Sequence, residues 1–481
     1  MNEPNSSNTP SVLTSPEDVL TTLGSDGKRK WIYPVESKGR YLNRRRILAW
    51  ALIVLYFALP LIPIAGKPAV MLDFVHREFA LFGLIFYPTD TLLLMIFMVG
   101  VMLSIVLITA LLGRVWCGWA CPQTVYLEFL FRPIERMIEG PEHARKRRNE
   151  GPASWDKTKR KIAKQVIFLT LALLLSHTFI AYFVGWETLL RWLQGPPAEN
   201  WGFFLLTALV TGLVWYDFAY FREQMCTIAC PYARMQSIML DRDSMIVSYD
   251  PNRGEPRKKR SKKIIQQEEL GQVPSQGDCI DCFACVRTCP TGIDIRDGLQ
   301  MECITCTQCI DACDHIMDNI SKPRGLISYT SENHLEGIKT RIMRPRSAIY
   351  GALIVLIFSA FSVVLSARND YDINIGRAVG EPFSELPDGR ISNRLRFRVR
   401  NQTNEPSSFD IFPVSPAGSE MRIIGESPVD LAPGEMKRIE AWIIIPKDAF
   451  TTTTIDAQFR LNFSDGVVRE PVFTLLGPDI Q

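Results

Sequence analysis

The chain has 481 residues, with 54 Lys and Arg against 51 Asp and Glu and a formal net charge of +3. A single hydrophobic core stops growing well before this length, so we expect more than one domain. So small a net charge gives no indication of a nucleic-acid partner, although its uneven placement along the chain is informative.

The first residues of the chain are polar. Residues 1–27 are rich in Ser, Thr, Pro and Asn, and they lack the basic start and apolar core of a signal peptide. We therefore expect a disordered tail over residues 1–30.

Five apolar segments follow that are long enough to cross about 30 Å of hydrocarbon as helices of about 20 residues. A buried soluble helix is the alternative for any one of them, but five in one chain favour a membrane protein. The first segment contains Pro60 and Pro63, which a span tolerates near its end. The predicted spans cover residues 47–64, 91–112, 162–184, 203–221 and 347–366.

Basic residues mark one side of these spans. They precede the first span, fill the loop after the second and recur between the fourth and fifth, whereas the other loops carry only Lys67, Arg77 and Arg191. Cytoplasmic loops hold the excess of Lys and Arg in membrane proteins. The pattern predicts a multi-pass membrane protein with its N-terminus in the cytoplasm and its C-terminal domain on the opposite side.

One cysteine motif stands at the inner ends of the second and fourth spans. It reads Cys-Gly-Trp-Ala-Cys-Pro over residues 117–122 and Cys-Thr-Ile-Ala-Cys-Pro over residues 226–231. The same motif in the same topological place indicates a twofold internal repeat. Because the Pro that follows disfavours helical geometry at Cys121 and Cys230, we expect each of them in a turn that enters a new helix.

If the two repeats pack against each other, their four thiols meet at the cytoplasmic membrane surface. Thiolates select Cu(I), zinc or iron–sulfur clusters. The alternative is a set of inert cysteines that pack as small apolar groups, but packing gives no reason to repeat a spacing and a Pro. The candidate metal ligands are Cys117, Cys121, Cys226 and Cys230.

A denser cysteine pattern, C-x2-C-x2-C-x3-C, occurs twice between residues 279 and 313. This is the spacing of a two-cluster ferredoxin, in which the fourth cysteine of each run binds the other cluster. Zinc sites usually pair two short hooks across a longer loop, so zinc is the weaker reading. We assign one 4Fe-4S cluster to Cys279, Cys282, Cys285 and Cys313, and the other to Cys303, Cys306, Cys309 and Cys289.

The pattern changes again after residue 366. Arg394 to Arg400 alternate between basic and apolar side chains, as a half-buried strand requires. Further strand candidates, separated by Pro, Gly and Asn, cover residues 409–412, 421–424, 438–445, 458–463 and 467–475. About seven short strands in roughly 110 residues predict an immunoglobulin-like sandwich.

The predicted fold class is a multi-domain membrane protein: a five-helix transmembrane bundle, an inserted α+β two-cluster ferredoxin-like domain and a C-terminal all-β immunoglobulin-like sandwich. We place the tail at 1–30, spans one to four at 31–246, the cytoplasmic cluster domain at 247–346, the fifth span at 347–366 and the periplasmic domain at 367–481.

Four stretches, residues 117–123, 222–231, 249–257 and 289–300, resemble the cytochrome c oxidase accessory proteins of the FixG/CcoG type. The resemblance covers nearly the whole chain. It implies a reductase of a bacterial inner (cytoplasmic) membrane that converts Cu(II) to Cu(I) for the copper centre of cbb3-type cytochrome c oxidase. The C-terminal domain would then lie in the periplasm. It further implies catalytic, copper-binding roles for Cys117, Cys121, Cys226 and Cys230.

The partners that this resemblance implies are copper chaperones or a copper transporter and subunits of the cbb3-type oxidase, besides the lipid bilayer and an unidentified electron donor. Two other functions remain open, because membrane quinol dehydrogenases or electron relays combine the same parts, and the clusters of a non-enzymatic assembly scaffold would be structural. The sequence contains no G-x-G-x-x-G motif, so direct oxidation of NADH is not expected.

Overall fold

The computed structural model describes residues 22, 29–64, 66–75, 77–87, 90–257, 277–341 and 343–478, without the side chains of residues 234 and 237. The predicted tail falls almost wholly outside the described residues. The chain forms two compact units: one comprises Met1–Ile62, Pro68–Arg77 and Asp90–Phe361, and the other Pro63–Lys67, Glu78–Thr89 and Ser362–Gln481. The first unit holds every cysteine.

Four helices in the described residues are long and apolar enough to cross a membrane, namely Thr91–Leu112, Trp155–Val184, Pro197–Phe221 and Pro345–Ser366. They contain four of the five predicted spans. Little of their surface is covered by protein, and the last of them has no buried residue. An apolar surface of this kind is stable only in lipid, so the chain is a membrane protein.

The first predicted span, residues 47–64, is not confirmed. Its helix covers Arg40–Ala58 and is followed by a turn and the short strand Pro63–Ile64. Pro60 lacks a backbone N–H and clashes with the preceding turn, so the helix stops before it. The uncharged part, residues 47–58, is shorter than the about 20 residues of a standard span. We call Arg40–Ala58 the N-terminal helix.

Each repeated cysteine motif is built as a helix, a turn and a second helix. The helix Val115–Trp119 and the π-helical turn Met225–Ala229 end just before Cys121 and Cys230, whose backbones are extended. Pro122 and Pro231 are the first residues of the next helices, Pro122–Tyr126 and Pro231–Met239. The predicted turn into a new helix is confirmed at both places, because Pro has the φ of a first helical residue and needs no N–H there.

The remaining helices of the membrane portion connect these elements. The Pro122–Tyr126 helix continues through the π-helical turn Leu127–Phe131 into Arg132–Glu139. Glu142–Glu150 and Trp186–Gln194 flank the Trp155–Val184 helix. The Pro197–Phe221 segment consists of a 3-10 turn, Pro197–Asn200, the helix Trp201–Tyr216 and a π-helical turn, Asp217–Phe221.

The cysteine-rich domain is closed by two antiparallel strands, Ile246–Tyr249 and Ile327–Thr330, paired from Ile246 opposite Thr330 to Tyr249 opposite Ile327. Between these strands lie the helices Pro251–Gly254, Ala284–Thr288 and Gln308–Asn319 and the 3-10 turn Ile295–Asp297. We call Gln308–Asn319 the cluster helix. A short helix, Glu332–Leu335, follows. The α+β prediction is confirmed for this domain.

The C-terminal domain is a sandwich of two five-stranded antiparallel sheets. The first contains Tyr371–Arg377, Ser384–Glu385, Ile391–Asn401, Glu420–Ile424 and Met436–Ile445, and the second contains Ser407–Ser415, Val429–Leu431, Thr454–Phe463, Val468–Arg469 and Val472–Leu476. Alternate residues point inward, so that Phe397 and Phe459 meet edge to face across the core. The immunoglobulin-like prediction is confirmed.

The segment after the N-terminal helix forms five short strands: Pro63–Ile64, Lys67–Pro68, Val70–Asp73, Glu78–Leu81 and Leu84–Phe86. Glu78–Leu81 and Leu84–Phe86 pair as an antiparallel hairpin. This hairpin belongs to the compact unit that contains the C-terminal domain.

Candidate functional site

The eight cysteines of the dense motif surround two neighbouring cavities. One cavity is lined by Cys279, Cys282, Cys285 and Cys313, together with apolar side chains such as Ile316 and Leu326. Cys289, Cys303, Cys306 and Cys309 line the other, which Cys285 also touches. The structure thus brings together the same two groups of four that the crossed spacing predicts.

Matching backbone turns aim the thiols at each cavity. Asp281 and Phe283 separate the cysteines of the first run, and Thr305 and Thr307 occupy the same places in the second. All four have a φ between 52° and 61°, in the left-handed region that side chains other than Gly rarely adopt. Four strained residues at equivalent positions show that both runs wrap in the same way, and strain of this kind concentrates at functional sites.

The donor set fits two 4Fe-4S clusters. Each cavity offers four thiols in mostly apolar surroundings, and thiolates are the ligands that hold such clusters. When bound, the clusters supply single electrons at potentials that the protein sets through charge, hydrogen bonding and exposure. The residues of the first cavity are partly open, since Cys282 is exposed, whereas Cys303 and Cys306 of the second are buried.

The repeated Cys-x3-Cys-Pro motifs lie against the second cavity. Cys117 packs with Ile304 and Cys306, and Cys226 and Tyr232 cover the same cluster of side chains. A Cβ built on Gly118 would lie 2.5 Å from the Ile304 carbonyl oxygen. Only glycine permits this approach, so the backbone of the first motif touches the loop that carries Cys303 and Cys306.

The four thiols of the two motifs are close enough to influence one another. Burial, with smaller contributions from Cys121 and Cys230, raises the pKa of the Cys117 thiol to about 11 against the opposing effect of Arg114. Burial also raises the pKa of Cys226, and Cys121, Cys117 and Cys230 contribute to the rise. At neutral pH the Cys117 and Cys226 thiols are protonated, so a metal that binds them must displace protons.

Polar side chains fix the position of the first motif. The Cys117 thiol donates a hydrogen bond to Gln236 Oε1 at 3.0 Å, and Gln236 Nε2 donates to Thr109 Oγ1 at 3.3 Å. Gln123 Nε2 donates to the Arg222 carbonyl oxygen at 3.0 Å. Because Gln123 follows the first motif and Arg222 precedes the second, this bond joins the two repeats.

The thiols do not form a ready-made metal cage. Over the parts of the chain that the structure describes, no group of three or more His, Cys, Asp or Glu side chains is arranged to hold a metal ion. The same holds for the eight cysteines of the dense motif, so this finding does not distinguish the two sets of thiols.

Three residues at this site were not predicted from the sequence. Buried Arg114 donates to the Met301 carbonyl oxygen and lowers the pKa of Cys117 against the larger effect of burial. Gln236 and Arg45 contact the first motif through Cys117 and the Gly118 carbonyl oxygen. Arg114 could have been suspected from its place three residues before Cys117, but Arg45 lies in a run of arginines that resembles ordinary membrane-flanking charge.

Comparison with known proteins covers both the cysteine-rich portion and the C-terminal domain. Residues 221–332 match the family described as a 4Fe-4S dicluster domain, residues 94–141 match a 4Fe-4S binding domain, and residues 361–478 match the IG-like fold at the C-terminus of FixG. The nitrogen fixation protein FixG of Rhizobium meliloti is 31% identical over 88% of this chain and 88% of its own length. The chain belongs to the FixG family.

Two further FixG-family relatives come from Cereibacter sphaeroides. Protein RdxA is 34% identical over 92% of this chain and 95% of its own length. Protein RdxB is 35% identical over 86% of this chain and 87% of its own length. A crystal structure of a FixG-related protein from Vibrio parahaemolyticus aligns with 23% of this chain and 97% of its own, at 15% identity and a TM-score of 0.19. This FixG-family chain is an iron–sulfur electron-transfer protein of the oxidoreductase class.

Proposed function

We propose that this protein reduces Cu(II) to Cu(I) at Cys117, Cys121, Cys226 and Cys230, and that the product serves the copper centre of a cbb3-type cytochrome c oxidase. The single observation that carries the proposal is the contact of the first motif with the loop of the second cavity, where Gly118 leaves no room for a side chain. A substrate held by these thiols is therefore next to Cys303 and Cys306.

The chemistry of copper accounts for the choice of ligands. Cu(II) binds nitrogen and oxygen donors strongly, whereas Cu(I) prefers the sulfur ligands of carriers. One electron converts Cu(II) to Cu(I), with no bond of the protein broken. A site of thiols alone favours the reduced product, and burial of Cys117 adds to this preference because low polarity disfavours the more highly charged ion.

The two cysteines of the first motif would contact the copper ion one after the other. Cys121 stands at the start of the Pro122–Tyr126 helix and is only half-buried, whereas Cys117 is buried. Burial raises the pKa of the Cys121 thiol, and the backbone N–H groups of Gln123 and Thr124 oppose this rise. Because it is the more accessible of the two, Cys121 is suited to receive the ion. Cys117, which is buried and held by Gln236, is suited to keep it beside Cys306.

The proposed setting is a bacterial inner membrane, with the clusters in the cytoplasm and the C-terminal domain in the periplasm. The distribution of Lys and Arg supports this orientation. Copper chaperones or a copper transporter would exchange Cu(I) with the thiols, and the cbb3-type oxidase subunits are the recipients. The electron donor is a further partner that the proposal requires.

The decisive variant replaces both cysteines of one motif. We expect Cys226→Ser with Cys230→Ser to remove most Cu(II) reduction, because the soft ligands are lost. The measurement is anaerobic formation of Cu(I) by dithionite-reduced, desalted protein, with iron and sulfide each remaining at about eight per chain. Met95→Leu with Met98→Leu, which removes two exposed thioethers from the Thr91–Leu112 helix, is the control. Unchanged copper reduction in the cysteine variant would contradict the proposal and indicate that these cysteines only pack as small apolar groups.

A second function, oxidation of a membrane quinol, is favoured by one cavity. It has a volume of about 420 Å³ and is lined by Trp50, Phe129, Glu128 and Gln308, among others. Gln308 precedes Cys309 and donates to Glu128 Oε2 at 3.3 Å. Exposed Trp50 lies on the apolar part of the N-terminal helix, so a lipid-soluble molecule could enter from the membrane.

Anaerobic mixing separates these functions. Reduced protein is mixed with Cu(II) or with a short-chain quinone, and the cluster absorbance is followed. Rapid re-oxidation by Cu(II) alone supports the copper reductase, and rapid re-oxidation by quinone alone supports the quinol enzyme. Re-oxidation by neither would favour the third class, an assembly scaffold with structural clusters.

A further inference from the structure

Arg45 is an arginine of the N-terminal helix that is buried completely, with 0% of its surface exposed. Its Nε donates a hydrogen bond to the Gly118 carbonyl oxygen at 3.0 Å. Nη1 and Nη2 are buried and have no hydrogen-bond partner among the described residues. A buried guanidinium without an anion costs several kcal/mol, so its charge is expected to face a negative group.

The group that Arg45 faces is the second set of cysteines. Gly118, whose carbonyl oxygen accepts the Arg45 hydrogen bond, packs so closely on the loop of these cysteines that a Cβ at Gly118 would lie 2.9 Å from the Cys306 Cα. On its other side Arg45 lies 5.3 Å from the centre of the Phe129 ring. The guanidinium is therefore buried close to the backbone of Cys306, one of the residues that line the second cavity.

The first set of cysteines has no comparable free cation among the residues named here. Arg296 is an arginine that lines the first cavity, together with Cys279, Cys282, Cys285 and Cys313. Arg296 is already neutralised, because it makes ion pairs at 2.6 Å with Asp294 and with Asp281. The two cavities thus resemble each other in their thiols but differ in the charge that each receives.

The fold places Arg45 through the cluster helix. Asp311 of that helix accepts hydrogen bonds from the backbone N–H groups of Tyr41 at 3.2 Å and Leu42 at 2.8 Å, and so caps the start of the N-terminal helix. A Cβ on Gly39 would lie 2.2 Å from Asp311 Cγ, so this approach requires glycine. Arg45 follows one turn later, at a position set by the helix that carries Cys309 and Cys313.

We propose that Arg45 is the counter-charge of the cluster held by Cys289, Cys303, Cys306 and Cys309, and that it raises the reduction potential of this cluster. Reduction adds negative charge, which a buried site disfavours and a neighbouring cation favours. Arg45 offsets the effect of burial and stabilises the added electron beside the Cys117 motif. The proposal depends on cluster binding and does not require copper to be the substrate.

The test is an anaerobic potentiometric titration of the holoprotein, followed by electron paramagnetic resonance and without copper. We expect Arg45→Gln to lower the equilibrium constant for one-electron reduction of the cluster beside Arg45 at least tenfold, which is a fall of about 59 mV in its reduction potential. The potential of the other cluster should not change. Arg45→Lys keeps the charge and should remain near wild type. Arg44→Gln, at the exposed neighbouring position, is the matched control and should shift neither cluster.

Three results would overturn the proposal: no shift in Arg45→Gln, an equal shift of both clusters, or an equal shift in Arg45→Lys. Should Arg45→Gln lose a cluster, the iron content decides. About four iron atoms per chain in Arg45→Gln against about eight in Arg45→Lys supports the counter-charge, because Lys keeps the positive charge that Gln lacks. Loss of iron in both variants contradicts it, since the role would then depend on the shape of arginine.

Discussion

Gly118 is the residue at which the two cysteine systems meet. It lies between Cys117 and Cys121, and a Cβ at this position would approach three backbone atoms of the loop over residues 304–306. Backbone atoms yield less readily than the ends of side chains, so any larger residue must displace this loop. The contact fixes the distance between the thiols of the first motif and the second cavity.

We expect Gly118→Ala to destabilise the protein by about 1–3 kcal/mol, because overpacking forces the loop to move. The variant should also lose iron on dilution faster than wild type, since that loop carries Cys303 and Cys306. Thermal unfolding and iron analysis measure the two effects. Gly212→Ala is the control, because a Cβ there meets nothing within 4 Å. Equal stability and iron retention in both variants would mean that the loop adapts freely.

At the scale of helices and turns, a buried network of charges joins the elements on the inner side of the spans. Glu135 of the Arg132–Glu139 helix accepts hydrogen bonds from Arg222 at 2.7 Å, from Arg145 at 2.9 Å and from Lys164 at 3.2 Å. These cations come from three other elements. Burial would raise the pKa of Glu135, but the neighbouring Arg222, then Lys164 and Arg145, hold it well below its usual range.

A second group of ion pairs extends the network toward the motif. Arg132 pairs with Glu128 and, at 3.2 Å, with Glu223, which also pairs with Arg29 at 2.7 Å. Glu223 lies three residues before Cys226. The network therefore connects the second motif to the helix that follows the first.

Glu135→Gln should destabilise the protein by about 3–5 kcal/mol, because it leaves two buried cations, Arg145 and Arg222, without their shared anion. Chemical unfolding in detergent measures the loss. Glu150→Gln, an exposed carboxylate at the end of the Glu142–Glu150 helix, should change stability by less than about 0.5 kcal/mol. A loss below 1 kcal/mol in Glu135→Gln would show that water reaches the network and screens it.

The same carboxylate predicts a dependence on pH. A folded-state pKa below the unfolded value of about 4.3 means that the charged form of Glu135 stabilises the fold above that pH. This stability is lost as the pH falls toward the folded pKa. Glu135→Gln lacks this pH-dependent contribution to stability. We therefore expect the difference in the free energy of unfolding between wild type and variant to become smaller below about pH 4.

At the scale of the whole molecule, the contacts within the first unit bear on the topology. Leu42 is bound to Asp311 of the cluster helix, and the Leu112 carbonyl oxygen accepts a hydrogen bond from Tyr329. Both ends thus lie at the cysteine-rich domain. The Thr91–Leu112 helix is about 33 Å long at 1.5 Å per residue, so Thr91 lies far from this domain.

The chain between Leu42 and Thr91 must cover the same distance. The N-terminal helix is the only long regular element in the described residues between them, so we predict that it crosses the membrane although its uncharged part is short for a standard span. Five crossings and a C-terminal domain outside the cytoplasm, which the distribution of Lys and Arg indicates, remain predictions.

Reporter fusions test this topology. A reporter that is active only outside the cytoplasm should be active when fused after Lys67 or after Gln481, and inactive when fused after Glu150 or after Arg324. The physical reason is the asymmetric retention of Lys and Arg on the cytoplasmic side. Activity after Arg324 would contradict the predicted cytoplasmic side of the cysteine-rich domain. Inactivity after Lys67 would show that the N-terminal helix remains on one side of the membrane.

The sequence alone determined the features that depend on local spacing and periodicity. Four spans, the two cysteine runs, the turns at Cys121 and Cys230 and the alternating strands of the C-terminal domain follow from short-range geometry. The predicted end of the first span, residue 64, is wrong, because the helix ends at Ala58. Pro60 terminates the helix, whereas the prediction allows it inside the span. The domain boundaries and ligand assignments remain predictions that the geometry supports.

Only the tertiary structure decided which distant residues share the site. Arg45 and Gln236 reach the first motif from separate elements, and no periodicity in the sequence distinguishes them from ordinary charge or packing. The contact of Gly118 with residue 304 joins positions far apart in the chain. Spacing specifies which cysteines can share a cluster, because a few bonds connect them; which charge lies beside that cluster depends on how whole helices pack.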